Sequence, residues 1–181
     1  MEIIQTAIEP VVIIEPKVHV DERGWFTEDI NIGKLLQHSI DFRVVQENHV
    51  LNIQRYVFRG FHYQKAPHEQ AKLVRCTMGK VIDYAVDLRK DSKTYLQHVA
   101  VELSAENKRQ LFVPKGFAHG VMNLSETAEI QYFVDEPYSP ECDRSIRWND
   151  PEIGIDWRGI VPVLSQKDRS APTLVDCGDN T

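Results

Sequence analysis

Turn residues cut this chain into short pieces, and that limits its folds more than any other property. Nine glycines and nine prolines are scattered over 181 residues. The runs between them are short and have strand character. Residues 80–88 are the clearest: Ile82, Tyr84, Val86 and Leu88 take one apolar face, while Asp83 and Asp87 alternate onto the other with Val81 and Ala85. Alternation with period two over that length reads as a strand. Residues 11–20, 42–53, 56–63, 71–78, 97–103, 109–113, 118–124 and 128–134 share this character. Residues 104–107 read as a turn. Two short helices are predicted, 32–38 with Asn31 as N-cap and 165–168 with Ser165 as cap. About nine or ten short strands with little helix predict an all-β sandwich or closed barrel. Long helices between strands are missing, which excludes a doubly wound parallel sheet.

The length fits one domain, expected to span residues 1–181. A net charge of −6 argues against a general nucleic-acid binder. It leaves room for an anionic small molecule held by a few converging arginines. The longest aliphatic run, Val11-Val12-Ile13-Ile14, is far too short to span a membrane. The first residues, Met1-Glu2-Ile3-Ile4-Gln5, carry neither the basic region nor the apolar core of a secretory signal, so the default address is cytoplasmic. Cys76, Cys142 and Cys177 show no CxxC spacing, and their odd number suits a reducing compartment. Neither GxGxxG nor GxxxxGK[ST] occurs.

Pro114-Lys115-Gly116-Phe117-Ala118-His119-Gly120-Val121-Met122-Asn123 fits P-x-G-x-x-H-x-x-x-N, the second motif of cupin barrels. Pro and Gly set a turn, and the following strand would aim His119 into the barrel. The bland alternative is a turn followed by a core histidine. Metal-binding cupins also need H-x-H and a nearby glutamate. Here the corresponding stretch is His62-Tyr63-Gln64, with His68 and Glu69 following. An amide oxygen replaces imidazole poorly at a transition-metal site, so a barrel without metal is expected, with His68 and Glu69 on a solvated turn.

Further motifs follow one another along nearly the whole chain. They include Asp21-Glu22-Arg23-Gly24-Trp25-Phe26-Thr27-Glu28, Val45-Gln46-Glu47-Asn48, Arg59-Gly60-Phe61-His62-Tyr63-Gln64 and Gln70-Ala71-Lys72-Leu73-Val74-Arg75. Ala85-Val86-Asp87-Leu88-Arg89, Leu103-Ser104-Ala105-Glu106-Asn107, Gly116-Phe117-Ala118-His119-Gly120, Ala128-Glu129, Trp148-Asn149-Asp150-Pro151 and Leu164-Ser165-Gln166-Lys167-Asp168 complete the set. In these motifs and their order the sequence resembles the dTDP-4-dehydrorhamnose 3,5-epimerases of deoxysugar biosynthesis. The resemblance implies a cupin-type jelly roll without metal or organic cofactor, usually a homodimer. The implied substrate is a thymidine diphosphate 4-keto-6-deoxy sugar, with no nucleic-acid or membrane partner.

Carbons 3 and 5 of such a sugar flank a ketone, so their protons can be removed and returned on the other face. The resemblance implies His62 as the base, a residue type whose pKa near 6.5 suits that role. It implies Asp168 as its carboxylate partner, Tyr132 as the opposite-face acid and Lys72 as the cation beside the sugar ketone. Read alone, Asp168 is an ordinary helix-end carboxylate and Tyr132 a strand aromatic. Asp83 and His119 are implied as inward-facing neighbours, His119 touching substrate. Arg23 and Arg59 are implied to hold the diphosphate. Phe26, Glu28, Gln46 and Asn48 belong to the nucleotide end, where Arg23, Phe26 and Glu28 would serve the partner's site. Tyr138 matches an aromatic that stacks on the base, and Asp143 takes a place often held by glutamate. Phe133 stands where relatives commonly have lysine, and Pro137 where a second tyrosine is frequent. Some relatives invert only carbon 3 or only carbon 5, and a silent nucleotide-sugar-binding cupin is the alternative of another class.

Overall fold

In the computed structural model, which describes residues 1–177, the short apolar runs become strands. They are β1 (Glu2–Gln5), β2 (Val12–Glu15), β3 (Val18–Asp21), β4 (Gly24–Thr27), β5 (Gln46–Asn52), β6 (Phe58–Gln64), β7 (Lys72–Met78), β8 (Lys80–Asp87), β9 (His98–Ser104), β10 (Gln110–Val113), β11 (Phe117–Asn123), β12 (Ala128–Val134) and β13 (Asp143–Ser145). Two short helices, α1 (Ile32–Gln37) and α2 (Gln166–Arg169), complete the set. One sheet has the order β1-β2-β10-β7-β12-β5 and faces a second of order β13-β6-β11-β8-β9; β3 and β4 form a separate hairpin. Neighbouring strands in both sheets run antiparallel. The result is a jelly-roll barrel.

Three apolar clusters fill the layers. Between the sheets lie Val74, Val81, Ala85, Leu111, Val121 and Ile130. Outside the larger sheet, Leu35 of α1 packs with Ile40, Phe42, Leu73 and Phe112. Asn31 caps α1, its side chain accepting from the Lys34 amide at 3.1 Å. Outside the smaller sheet, Phe58, Phe61, Val86 and Met122 are covered by the chain after β13, including Trp148 and Trp157.

Several strand boundaries depart from the sequence expectations. The run 11–20 breaks at Pro16 into β2 and the hairpin strand β3. Proline has no N–H to give a ladder. The run 42–53 starts pairing only at Gln46, because Phe42 is consumed by the cluster under α1. The short strands β1, β4 and β13 carry too few residues for a periodic signal. In β8 both faces are buried. The face carrying Asp83 is the one turned into the barrel with Val81 and Ala85, while Val86 packs outward, with Ile82 and Tyr84 against the same outer cluster. An outer layer supplied by a distant part of the chain covers what alternation alone would leave as the second face of the sheet.

One irregularity shapes the barrel mouth. His119 of β11 pairs with His62 of β6, but Val121, two residues on, pairs with Arg59, three residues back. The extra residue is a bulge at Gly60-Phe61, and it puts Arg59 and His62 opposite the same inward row. Gly60 holds φ +145°, and a Cβ there would lie 2.6 Å from the Gly120 Cα and 2.9 Å from the His119 carbonyl oxygen. A Cβ on Gly120 would meet the Phe58 ring at 2.6 Å. Gly60→Ala is therefore expected to lower stability by about 1–3 kcal/mol, the usual range for overpacking. Its urea midpoint, compared with that of the parent at equal slope, checks this.

Candidate active site

The bulge in β6 turns His62 into a cavity of about 550 Å³ at the open end of the barrel. Arg59 and His62 of β6, Lys72 of β7, His119 of β11, Tyr132 of β12 and Asp168 of α2 all line it. Val50, Val121 and Ile130 give it an apolar wall. Asp168 arrives by two local devices. First, Val57 and Val163 form a parallel bridge: the Phe58 amide donates to the Val163 carbonyl at 3.0 Å and the Val163 amide to the Tyr56 carbonyl at 2.9 Å. That bridge anchors the returning chain beside β6. Second, Ser165 caps α2. Its Oγ accepts from the Asp168 amide at 3.1 Å and donates to Asp168 Oδ2 at 2.9 Å.

The other carboxylate oxygen, Asp168 Oδ1, lies 2.5 Å from His62 Nε2. Burial pushes the Asp168 carboxyl upward, but the His62 hydrogen bond and charge, with the Ser165 hydroxyl, outweigh it and hold the pKa below the usual carboxylate range. Asp168 is thus an anion at neutral pH. It fixes one ring nitrogen of His62 as donor and leaves the other for proton transfer.

A second histidine–carboxylate pair lies deeper, with His119 Nε2 2.5 Å from Asp83 Oδ1. Burial pushes the His119 pKa down against the raising effect of Asp83, so the imidazole stays neutral. Lys72 Nζ reaches across the barrel to the His62 carbonyl oxygen at 3.5 Å. Burial lowers its pKa to about 8, with the charges of Asp83 and Asp143 opposing the drop. Tyr132 goes the other way: burial raises its pKa while the nearby Arg59 charge pulls it down. A phenol raised above its ordinary value is a protonated donor at neutral pH. A base, an acid and a cation therefore share one cavity, the set that proton exchange next to a ketone requires.

The model of one family, described as dTDP-4-dehydrorhamnose 3,5-epimerase, matches residues 5–176. The chain belongs to this family. It is 50% identical to the dTDP-4-dehydrorhamnose 3,5-epimerase of Salmonella typhimurium over 178 residues, 96% of each chain. A Legionella pneumophila dTDP-6-deoxy-D-glucose-3,5-epimerase, solved in complex with dTDP-4-keto-L-rhamnose, is 43% identical, with a TM-score of 0.92 over 98% of this chain and 94% of that one. A 3′-monoepimerase from Streptomyces bikiniensis, solved with dTDP-quinovose, is 32% identical, with a TM-score of 0.88 over 95% and 87%.

The remaining residues that the family resemblance points to lie outside the cavity lining. Arg23 and Phe26 sit on the β3–β4 hairpin and Glu28 just after it. Arg23 pairs with Asp21, Phe26 is 68% exposed, and Glu28 bonds Lys34 and Asn31. Gln46 and Asn48 lie on β5, joined by a 2.8 Å bond, with Asn48 directly across from Tyr132. Tyr138 is exposed, and its hydroxyl donates to Asp143 Oδ2 at 3.2 Å. Asp143 also binds Lys167, the α2 residue beside Asp168. Gln64 ties two loops together, the one after β6 and the one between β12 and β13. Its Oε1 accepts from the Ser139 amide at 2.7 Å, and its Nε2 donates to the His68 carbonyl at 2.7 Å and the Pro137 carbonyl at 3.2 Å. His68 is partly solvated on its turn and also bonds Glu136, with Nδ1 2.8 Å from Oε1.

Ser165 and Lys167 line the cavity without having been singled out for it. The available signal was the S-x-x-D spacing, which puts a cap hydroxyl against the carboxylate three residues on. Ser165→Ala is expected to lower kcat with little change in KM, and to remove about 0.5–1 kcal/mol of stability as a lost N-cap. Steady-state kinetics with a thermal melt check both. Lys72 gives a pH prediction. The ammonium is present below about pH 8 and lost above it, so kcat/KM, which reports the free enzyme, is expected to fall as pH rises through that value. In Lys72→Arg, whose guanidinium stays charged, that alkaline limb is expected to vanish even though overall activity drops.

Proposed function

We propose that this chain epimerises a thymidine diphosphate 4-keto-6-deoxy sugar at carbons 3 and 5, giving the 4-keto-L-rhamnose nucleotide. The observation that carries the reading is the His62–Asp168 contact at 2.5 Å, in a cavity shared with Lys72 and Tyr132. His62 removes the proton next to the ketone. The electron pair moves onto the ketone oxygen, where the Lys72 ammonium stabilises the enolate. Tyr132 returns a proton to the other face; before the second carbon reacts, the His62 imidazolium gives its proton to solvent and the Tyr132 phenolate takes one back. The exchange is redox-neutral, so no electron acceptor is required. Arg59 holds the diphosphate at the cavity rim.

We infer further that one domain carries this activity in the cytoplasm, where the thiols of Cys76, Cys142 and Cys177 would stay reduced. The working form is a homodimer. The β3–β4 hairpin stands outside both sheets and leaves Val20 78%, Trp25 61% and Phe26 68% exposed. A second copy would cover that surface and receive Arg23, Phe26 and Glu28 at its nucleotide end.

Proton NMR in D₂O tests the chemistry. With dTDP-4-keto-6-deoxyglucose, the signals at carbons 3 and 5 should both disappear, and His62→Ala should abolish the exchange. Loss at one carbon alone would make the protein a single-position epimerase. Loss at neither, with nucleotide still bound, would make it a binding protein. Chelator-treated protein is expected to keep full activity. Light scattering should give twice the chain mass, and Trp25→Glu should yield a monomer with a raised KM.

A further inference from the structure

β5 forms the edge of the larger sheet next to the cavity. Its inward row runs Gln46, Asn48, Val50 and Asn52, and every other residue faces out. Asn52 ends this row and is 1% exposed. Its cross-strand partner is Ala128, and Val50 faces Ile130 one step along, so the surroundings are largely apolar. The Asn52 Oδ1 accepts a hydrogen bond from Arg59 Nε at 2.9 Å. That bond crosses from one sheet to the other at the cavity mouth. The amide nitrogen of Asn52 is buried and has no partner among the described residues.

A buried amide that leaves two N–H bonds unpaired is unfavourable for folding, and an apolar side chain of the same shape would avoid the loss. Arg59 is an exposed residue, so its guanidinium keeps access to water without Asn52. The bond therefore does little for the barrel. Its effect falls on the guanidinium. With Nε engaged, the arginine is held by its inner edge, and the two terminal nitrogens, which have no partner among the described residues, can present a fork to two phosphate oxygens. Arg59 lines the cavity and lies close enough to Tyr132 for its charge to be felt at the phenol.

We propose that Asn52 is a positioning residue for the nucleotide diphosphate, holding Arg59 in its binding geometry without itself touching substrate. This rests on the reading of Arg59 as a diphosphate contact. An unheld arginine must be ordered by the ligand, and that ordering weakens binding.

The test is a two-residue cycle on the full chain, read by dTDP affinity, KM and kcat for the 4-keto sugar nucleotide, and melting temperature. Asn52→Leu removes the acceptor and the orphan amide together; Asn52→Ala removes them and leaves space. Both should raise the dTDP Kd and the KM roughly three- to tenfold, the cost of ordering one long side chain, with kcat within about twofold because the proton-transfer groups are untouched. Asn52→Leu should melt at or above the parent temperature. Asn52→Asp, which retains an acceptor, should fall between parent and Asn52→Leu in KM. In an Arg59→Ala background, Asn52→Leu should add nothing further. If Asn52→Leu and Asn52→Ala lower the melting temperature and leave KM alone, the bond is only an inter-sheet strut and the proposal is wrong. If Arg59→Ala leaves dTDP affinity intact, the reading of Arg59 fails first and takes the proposal with it. If Arg59→Ala weakens binding and the Asn52 variants do not, Arg59 stands and the proposal alone is overturned.

Discussion

The contact between His62 and Asp168 is where the barrel and the tail of the chain meet, and most local features of the mouth serve it. The two residues are 106 positions apart. His62 faces inward together with Arg59 because β6 carries one extra residue, and that residue fits because Gly60 and Gly120 let the two backbones approach. Asp168 reaches the same place because the Val57–Val163 bridge brings the chain back and Ser165 starts a helix there. A packing constraint and a capping motif thus converge on one hydrogen bond.

The electrostatics of the cavity oppose the charge of the chain. The net charge is −6, yet Arg59, Lys72 and Lys167 all line this one space. A cationic cavity in an acidic protein concentrates an anionic ligand there rather than over the whole surface. Burying Lys72 is unfavourable, as its pKa of about 8 records. The carboxylates that offset this have other partners: Asp83 bonds His119, and Asp143 bonds Lys167 and Tyr138. Lys72 has no direct ion pair among the described residues, which in the proposed reaction leaves its charge for the developing enolate.

Local pattern carried the architecture further than it carried the site. Alternation in 80–88 and 128–134 marked strands that the structure contains as β8 and β12, and the Asn31 and Ser165 caps marked both helices. The pattern could not tell which face of β8 lines the barrel, because that depends on where the segment around Trp157 comes to rest. Nor could it see the bulge, since a register shift is a property of two strands and Gly60 alone reads as a turn residue. The grouping of His62, Lys72, His119, Tyr132 and Asp168 depends on long-range pairing. Only the family resemblance made it visible in the sequence. Asn52 escaped even that, because its inter-sheet bond and its amide nitrogen, without a partner among the described residues, exist only in three dimensions.

The claim that Asp168 orients His62 as the base is tested most directly by Asp168→Asn, assayed for solvent deuterium uptake at carbons 3 and 5. The amide would offer an N–H where the carboxylate accepts one, favouring the imidazole tautomer whose cavity-side nitrogen is already protonated. The expected result is a fall in exchange rate of roughly two to four orders of magnitude, with dTDP affinity unchanged. Exchange within about tenfold of the parent would contradict the account, because the carboxylate would then have no part in setting the base.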